Sequence, residues 1–415
     1  MRNNQEKPFE ILRRELLNRL DMYGQMSDEE ILELIDDLVL GWSGGSPLSL
    51  LQKESLRKDL YYSVRKLDVL QDLIDDPEVT EIMVNGRDRI YVEKGGVISR
   101  YGKSFLNEER LSDIILQIAG RCNKVVNEQS PIADARLANG DRVNIVLPPV
   151  AVDGPVLTIR RFPKEAITMN LLLAYDSLTK EAASFLETAV KARYSILISG
   201  GTSTGKTTFL NALSFFIPES ERVVTIEDTA ELQLQDLPNL VRLEARSANY
   251  EETKEINIRD LIRTSLRMRP SRIIIGEVRG GEAADFLTCL NTGHAGSLDS
   301  VHANSAADVS SRLEMMVRMA ADLPIPVIRA QIASGVDIIV HLYRDEAGKR
   351  KVEEIAEVEG LADGEVSVRS IFRRKNRVLV RCGDLSRREK WDAYLTFAGG
   401  EAPPTSSFPG FSEPP

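Results

Sequence analysis

The sequence predicts an α/β protein: a C-terminal domain on a mostly parallel sheet, a smaller mixed α/β domain ahead of it, and an N-terminal helical extension. Three observations carry this. From about Leu172 onward, apolar strand-like runs alternate with helical patterns, the signature of parallel strands joined by helical crossovers. Between Val79 and Arg161 the apolar runs are short and separated by turn residues. Ahead of about residue 75 apolar residues recur at helical spacing. The expected organisation is the helical extension over 1–60, the mixed domain over 61–162, a linker over 163–175, the larger α/β domain with its C-terminal extension over 176–390, and a disordered tail over 391–415.

In chain order, Phe9, Leu12, Leu16 and Leu20 form one apolar helical face, and Ser27 followed by Glu30 makes a capping box ahead of ILELIDDLVLGW. Gly44, Gly45 and Pro47 break the pattern, and a second helical run follows from Ser49. Glu81–Val84 and Ile90–Val92 flank Asn85-Gly86 as a hairpin, Leu106–Ala119 is an amphipathic helix, and Asp134–Leu137 with Arg142–Leu147 flank Asn139-Gly140, a strong two-residue hairpin signal. Val156–Phe162 is a further strand. In the larger domain the candidate strands are 194–200, 222–228, 271–277, 296–302 and 336–342, with helices at 206–216, 257–268, 280–291, 304–320 and 325–333. Short strands follow Glu354, and the Pro/Ser/Gly-rich end reads as disordered.

Composition narrows the function. The chain has 415 residues, 42% hydrophobic and 28% charged, as expected for a folded multidomain protein. Its apolar runs fall short of the ~18 residues a membrane span needs. The N-terminus lacks an apolar signal segment, so secretion is not expected. Cys122, Cys289 and Cys382 lie far apart, which excludes a disulfide framework and suits a reducing cytoplasm. A net charge of −10 argues against a surface that grips nucleic acid, and three histidines argue against a histidine-rich metal site.

Gly200-Gly201-Thr202-Ser203-Thr204-Gly205-Lys206-Thr207 matches G-x-x-x-x-G-K-[ST] in full, between an apolar strand and the helical run FLNALSFF. Glycines let the backbone wrap a triphosphate with its N–H groups and the helix N-terminus facing the anion. Lys206 reaches toward the β- and γ-phosphates, and the Thr207 hydroxyl toward Mg²⁺. The only Asn-Lys pair, Asn123-Lys124, precedes the loop and lacks the aspartate that reads guanine, so ATP is preferred over GTP. The strand Ile273–Ile275 ends in Gly276-Glu277, with glycine where many such proteins carry aspartate. Glu227, Asp228 and Glu231 end another strand, where ligands of parallel sheets bind. His294 and His302 belong to the stretch NTGHAGSLDSVHANS, and with no cysteine or further histidine nearby zinc is not expected.

The ordered run of the phosphate loop, TIEDTAELQL, RMRPSRIIIGEVRGGEAADFL and NTGHAGSLDSVHANS strongly resembles the type II/type IV secretion ATPase superfamily, with the tight-adherence pilus ATPases as the nearest likeness. The resemblance extends upstream to VTEIMVNGRDRIYVEKGGVI and DARLANGDRVNIVLPP, over roughly residues 60–345; Ala295, Leu298 and Asp299 depart from its histidine motif. It implies a RecA-like P-loop domain and a hexameric cytoplasmic ring at the inner face of a bacterial inner membrane. ATP turnover would move the N-terminal domains against the RecA-like domains and so drive pilin polymerisation or export through a membrane platform protein. Peripheral membrane association follows from that picture.

Site roles follow in the same terms. Gly200 to Thr208 hold the nucleotide. Thr207 and Glu277 face Mg²⁺, partly through water, and Asp228 does so through water. Glu277, Glu231 and Glu227 compete to activate the attacking water. His294 and His302 are structural hydrogen-bonders when read alone; the resemblance places them at the γ-phosphate or a subunit interface. Arg160 and Arg161 are the candidates to neutralise transferring charge, with Arg142, Arg136, Arg267 and Arg279 behind them. Arg369, Arg373, Arg374, Lys375, Arg377, Arg381, Arg387, Arg388 and Lys390 give the stretch 369–390 a local excess of positive charge. That stretch suits an anionic membrane or an acidic protein face, and equally a solvated patch. A DNA-translocating RecA-like motor and a nucleotide-gated scaffold with little hydrolysis are the alternative functions.

Overall fold

The protein is described from a computed structural model, over residues 8–23, 26–43, 48–122, 124–137, 139–161, 167–234, 237–246 and 255–397. The Gly44–Pro47 break and the linker residues up to 166 lie outside these. The chain forms two compact units, Met1–Pro163 and Lys164–Pro415.

The first unit opens with α1 (Pro8–Tyr23), α2 (Asp28–Leu40) and α3 (Leu50–Arg65), packed around Leu12, Leu16, Ile31, Ile35, Leu56 and Leu60. The capping box is present: Ser27 Oγ accepts from Glu30 N, and the Glu30 carboxylate accepts from Ser27 N. Ser49 and Gln52 repeat it at α3, which runs on past residue 60 to Arg65. After the short α4 (Gln71–Asp75) come β1 (Val79–Asn85), β2 (Ile90–Lys94), β3 (Val97–Arg100), α5 (Glu108–Arg121), β4 (Ile132–Arg136), β5 (Arg142–Val146) and β6 (Val156–Arg160). The six strands make one antiparallel sheet in the order β3-β2-β1-β6-β5-β4. Ile82, Val84, Val143, Ile145, Leu157 and Ile159 share a core with Ile114, Ile115 and Ile118 of α5, so one sheet face is sealed by an amphipathic helix.

The second unit starts with α6 (Met169–Ala174), within the stretch expected to be linker; Thr168 caps it, and Met169 and Leu172 enter the core. Then follow α7 (Lys180–Lys191), β7 (Ile196–Gly200), α8 (Lys206–Ser214), β8 (Val223–Glu227), β9 (Leu240–Glu244), α9 (Ile258–Ser265), β10 (Arg272–Val278), α10 (Glu282–Leu290), β11 (Leu298–Val301), α11 (Asp308–Arg318), α12 (Ile325–Gly335), β12 (Ile338–Arg344), β13 (Arg350–Ala362), β14 (Glu365–Lys375), β15 (Val378–Arg381) and α13 (Glu389–Phe397). The sheet order is β15-β14-β13-β12-β7-β11-β10-β8-β9. From β12 to β9 every pairing is parallel; β13, β14 and β15 extend the sheet antiparallel.

Strand residues alternate between two cores. Ile196, Ile198, Ile274 and Val340 pack with α7 and α8, whereas Leu197, Ile273, Ile275 and Ile339 pack with α9 to α12. Burial on both faces explains the continuous apolar runs. Two differences from the sequence reading stand out. Beyond Glu354, β13 and β14 are long rather than short because they pair as one hairpin, whereas β15 is short as expected. Residues 391–397, expected in the tail, are helical because Trp391 stacks on Phe185 with centroids 5.4 Å apart; residues 398–415 lie outside the described ones. Most of the basic stretch is also spent internally. Arg369 pairs with Glu357 and Glu359, Arg381 with Glu181 and Asp384, Lys390 with Asp337, and Arg387 donates to the Ala333 and Val358 carbonyls. No helix among the described residues is long and apolar enough to cross a membrane.

Candidate nucleotide site

Strands β7, β11, β10 and β8 are consecutive in the sheet and parallel, so their C-terminal ends bring four loops to one edge. The phosphate loop leaves β7 through Gly200, at φ +152°. A Cβ there would lie 2.5 Å from Leu342 O and 2.7 Å from Thr204 Oγ1, so the close approach of β12 demands glycine. Ser203 has φ +60°, and Gly205 caps α8 in the left-handed region. Gly201, Thr202 and Ser203 are exposed at the tip, and Thr204 Oγ1 donates back to Gly201 O. Lys206 and Thr207 then open α8, with half-buried Thr208 behind them.

Lys206 Nζ donates to Gly200 O at 3.3 Å and Gly201 O at 3.0 Å, and lies 3.3–3.4 Å from both ring nitrogens of His302, just past β11. His302 Nε2 pairs with Glu277 Oε1, and Arg279 donates from Nε to Glu277 Oε2 at 2.8 Å while Nη1 reaches Asp228 at 3.5 Å. Burial and the Lys206 charge lower the His302 pKa against the pull of Glu277. The ring thus sits between the Lys206 ammonium and the Glu277 carboxylate, in contact with both. Thr207 Oγ1 donates to Glu231 Oε2 at 3.5 Å. Two β11 side chains pin β10 where its pairing shifts ahead of Glu277: fully buried Asp299 accepts from Ile275 N at 2.8 Å, and Ser300 Oγ donates to Gly276 O at 2.6 Å.

These residues fit Mg-ATP. The loop is a backbone cradle that a Cβ at Gly200 would fill, followed by a lysine and a helix N-terminus. Thr207, Asp228, Glu231 and Glu277 offer hard oxygen donors. Among the described residues no three His, Cys, Asp or Glu close a metal site by themselves.

Three expected site residues belong elsewhere. Glu227 is 3% exposed, and its Oε1 accepts from the N–H groups of Glu231 and Leu232, both at 2.8 Å. It therefore shapes the loop that carries Glu231 rather than facing a water. Burial pushes its pKa up to about 7. His294 follows α10, ahead of β11, whereas His302 follows β11; the length of the strand separates it from the phosphate loop. Arg161 is a clamp inside the first unit: Nε lies 3.3 Å from Asp141, and Nη1 donates to the Leu73 and Asp76 carbonyls at 3.0 and 2.8 Å. Arg160, by contrast, is exposed, and the register sets Arg136 opposite Arg142, Arg142 opposite Arg160, and Arg160 opposite Glu81. Arg267 is exposed after α9.

The family model described as Type II/IV secretion system protein matches residues 64–380. The chain belongs to this family. As a type II/IV secretion system protein it is 34% identical to the type IV secretion system protein VirB11 of Brucella suis, over 67% of this chain and 84% of that one. It is 33% identical to the PtlH homolog of Bordetella bronchiseptica, a type IV secretion system protein, over 71% of this chain and 95% of that one. The fold matches that of the Legionella pneumophila ATPase DotB at TM-score 0.51 and 19% identity, over 69% of this chain and 79% of that one. The pilus retraction motor PilT gives TM-score 0.51 at 17% identity, over 80% and 88%. The chain is thus a member of the type II/IV secretion family that shares the fold of DotB and PilT.

Sequence reasoning missed Arg350, the first residue of β13, whose Nε donates to Ser203 O at 3.1 Å. No motif marks it, and only the β12–β13 hairpin brings it to the loop. It also missed Asn211 of α8, whose Oδ1 accepts from Gln233 N at 3.0 Å and steadies the acidic loop from below.

Proposed function

We propose that this chain is a hexameric motor that hydrolyses ATP to power pilus assembly or protein export at the inner face of a bacterial inner membrane. The observation that carries this reading is the convergence at one sheet edge of the phosphate loop, the Lys206–His302–Glu277 chain and the Thr207–Glu231 contact. The names of the relatives support the choice of a secretion or pilus machine.

The loop N–H groups and Lys206 bind and orient the phosphates. Thr207, Glu277 and Asp228 would hold Mg²⁺, which would supply charge neutralisation at the transferring oxygens. Glu277 is the first candidate to orient the attacking water and Glu231 the second. His302, in contact with both Lys206 and Glu277, relays the position of the ammonium to that carboxylate. The family likeness, with Arg160 exposed at the end of β6, supports a role for Arg160 in supplying positive charge to a nucleotide. A ring suits such a division of labour, with a membrane platform protein as partner, peripheral membrane association, and no nucleic acid.

Steady-state phosphate release with Mg-ATP tests this. Lys206→Ala should abolish turnover, and Glu277→Gln should bind nucleotide while turning it over at least a hundredfold more slowly. An unchanged rate in Glu277→Gln moves the role to Glu231. Strong stimulation by DNA would favour the nucleic-acid motor, and binding without turnover, with or without anionic liposomes, the scaffold.

A further inference from the structure

We propose that Arg350 is a positioning residue for the nucleotide phosphates, and that it ties the phosphate loop to the strap 175–177 leading into α7. This rests on the nucleotide-binding reading of the loop. Register places the residue. Leu342 of β12 pairs with Gly200 of β7, and the turn at Asp345–Gly348 returns the chain so that β13 begins beside the loop. From there the Arg350 guanidinium donates to Ser203 O, and its Cδ lies 3.0 Å from where a Gly205 Cβ would stand. One side chain thereby holds the two left-handed residues of the loop, Ser203 and Gly205, from outside. It also brings a delocalised positive charge, suited to phosphate oxygens, to the rim of an anion cradle.

The same stretch of β13 grips the strap. Ser177 Oγ donates to Arg350 O at 2.8 Å. Lys351, 8% exposed, donates to the Tyr175 and Asp176 carbonyls at 3.1 and 2.6 Å and to the Asp176 carboxylate at 2.8 Å. Arg374 donates to Ser177 O at 3.0 Å. Asp176 sits at φ +54° as the left-handed residue that ends α6, its N–H bonded to Leu173 O and that of Ser177 to Leu172 O. A buried ammonium satisfied by three oxygens does not let go cheaply. A displacement of the strap therefore moves residues 350–351, and with them the Ser203 carbonyl; ordering of the loop by phosphate constrains the strap in return.

The test uses full-length Arg350→Ala, Arg350→Lys and Lys351→Met, reading Mg-ADP affinity by calorimetry, the unfolding temperature without nucleotide, and KM and kcat for ATP. Arg350→Ala should weaken Mg-ADP binding and raise KM on the order of tenfold, the loss expected for one charge-assisted hydrogen bond, with a smaller change in kcat. Its unfolding temperature should stay put, and Arg350→Lys should recover part of the affinity. Lys351→Met, whose lost ammonium bonds the strap and not the loop, should weaken Mg-ADP in the same direction. Wild-type affinity in Arg350→Ala overturns the proposal, as does a loss that tracks a fall in unfolding temperature and is not eased by lysine; wild-type affinity in Lys351→Met overturns the link to the strap. Lys206→Ala run alongside separates the two readings. If it binds and hydrolyses normally, the loop assignment itself is wrong; if it fails while Arg350→Ala behaves as wild type, only the positioning role is lost.

Discussion

Glu227 and Gly276 explain each other. A Cβ on Gly276 would stand 3.0 Å from Glu227 Cγ and 3.3 Å from its Oε1, so the glycine in place of the more usual aspartate leaves room for the buried carboxyl that shapes the acidic loop. With its pKa pushed up to about 7 from 4.5, that carboxyl is protonated more readily in the folded than in the unfolded chain. Its contribution to stability is therefore full below about pH 4.5 and lost as pH rises through 7, on the order of 3 kcal/mol at most. Glu227→Gln keeps an acceptor for the two loop N–H groups but does not titrate. The difference in unfolding free energy between it and the wild type should shift toward the variant between pH 4.5 and 7, read by denaturant melts, while turnover is largely kept. A pH-independent difference would mean that Glu227 is not protonated in the fold. The phosphate loop and the Glu277 strand end were legible at this scale because their chemistry is local in sequence. Glu227, Asp228 and Glu231 look alike in a string of letters, and only burial separates the one that builds from those that face outward.

At the scale of elements, periodicity revealed β7, β8, β10, β11 and β12 within a residue or two, since strands buried on both faces leave continuous apolar runs. It did not reveal α6, α7, β9 or α13. Strand β9 is an edge strand with a half-exposed pattern, and α13 offers no fully buried residue, so neither leaves a periodic signature. What holds α13 is the indole of Trp391, stacked on Phe185 and edge-on to Tyr194 at 6.3 Å. Trp391→Ala should cost about 2–3 kcal/mol and lower the unfolding temperature by roughly 5–10 °C, seen by calorimetry. A shift under 1 °C would mean that the helix is not docked in solution. The basic stretch ahead of it was misleading for a related reason: charge counts do not say whether arginines face water or carbonyls.

At the scale of the whole molecule, the expected assembly makes a prediction about Arg160. Arg160→Ala should retain the native mass of a hexamer while phosphate release falls about tenfold or more, as for loss of a charge-stabilising group. Mixing it with the inactive Lys206→Ala chain tells whose nucleotide it serves. Recovered turnover in the mixture means that the arginine acts across chains, and no recovery means that it acts within one. An unchanged rate in Arg160→Ala alone removes it from the chemistry. The sheet order carries one more consequence. Because β13 lies against β12, the C-terminal extension is the neighbour that makes an apolar strand interior. A fragment ended at residue 345 would leave Ile338–Leu342 as a bare rim, its amides and carbonyls open to any extended chain. The long hairpin is thus also a guard against self-association, and the ATPase unit cannot be trimmed to its parallel strands without inviting aggregation.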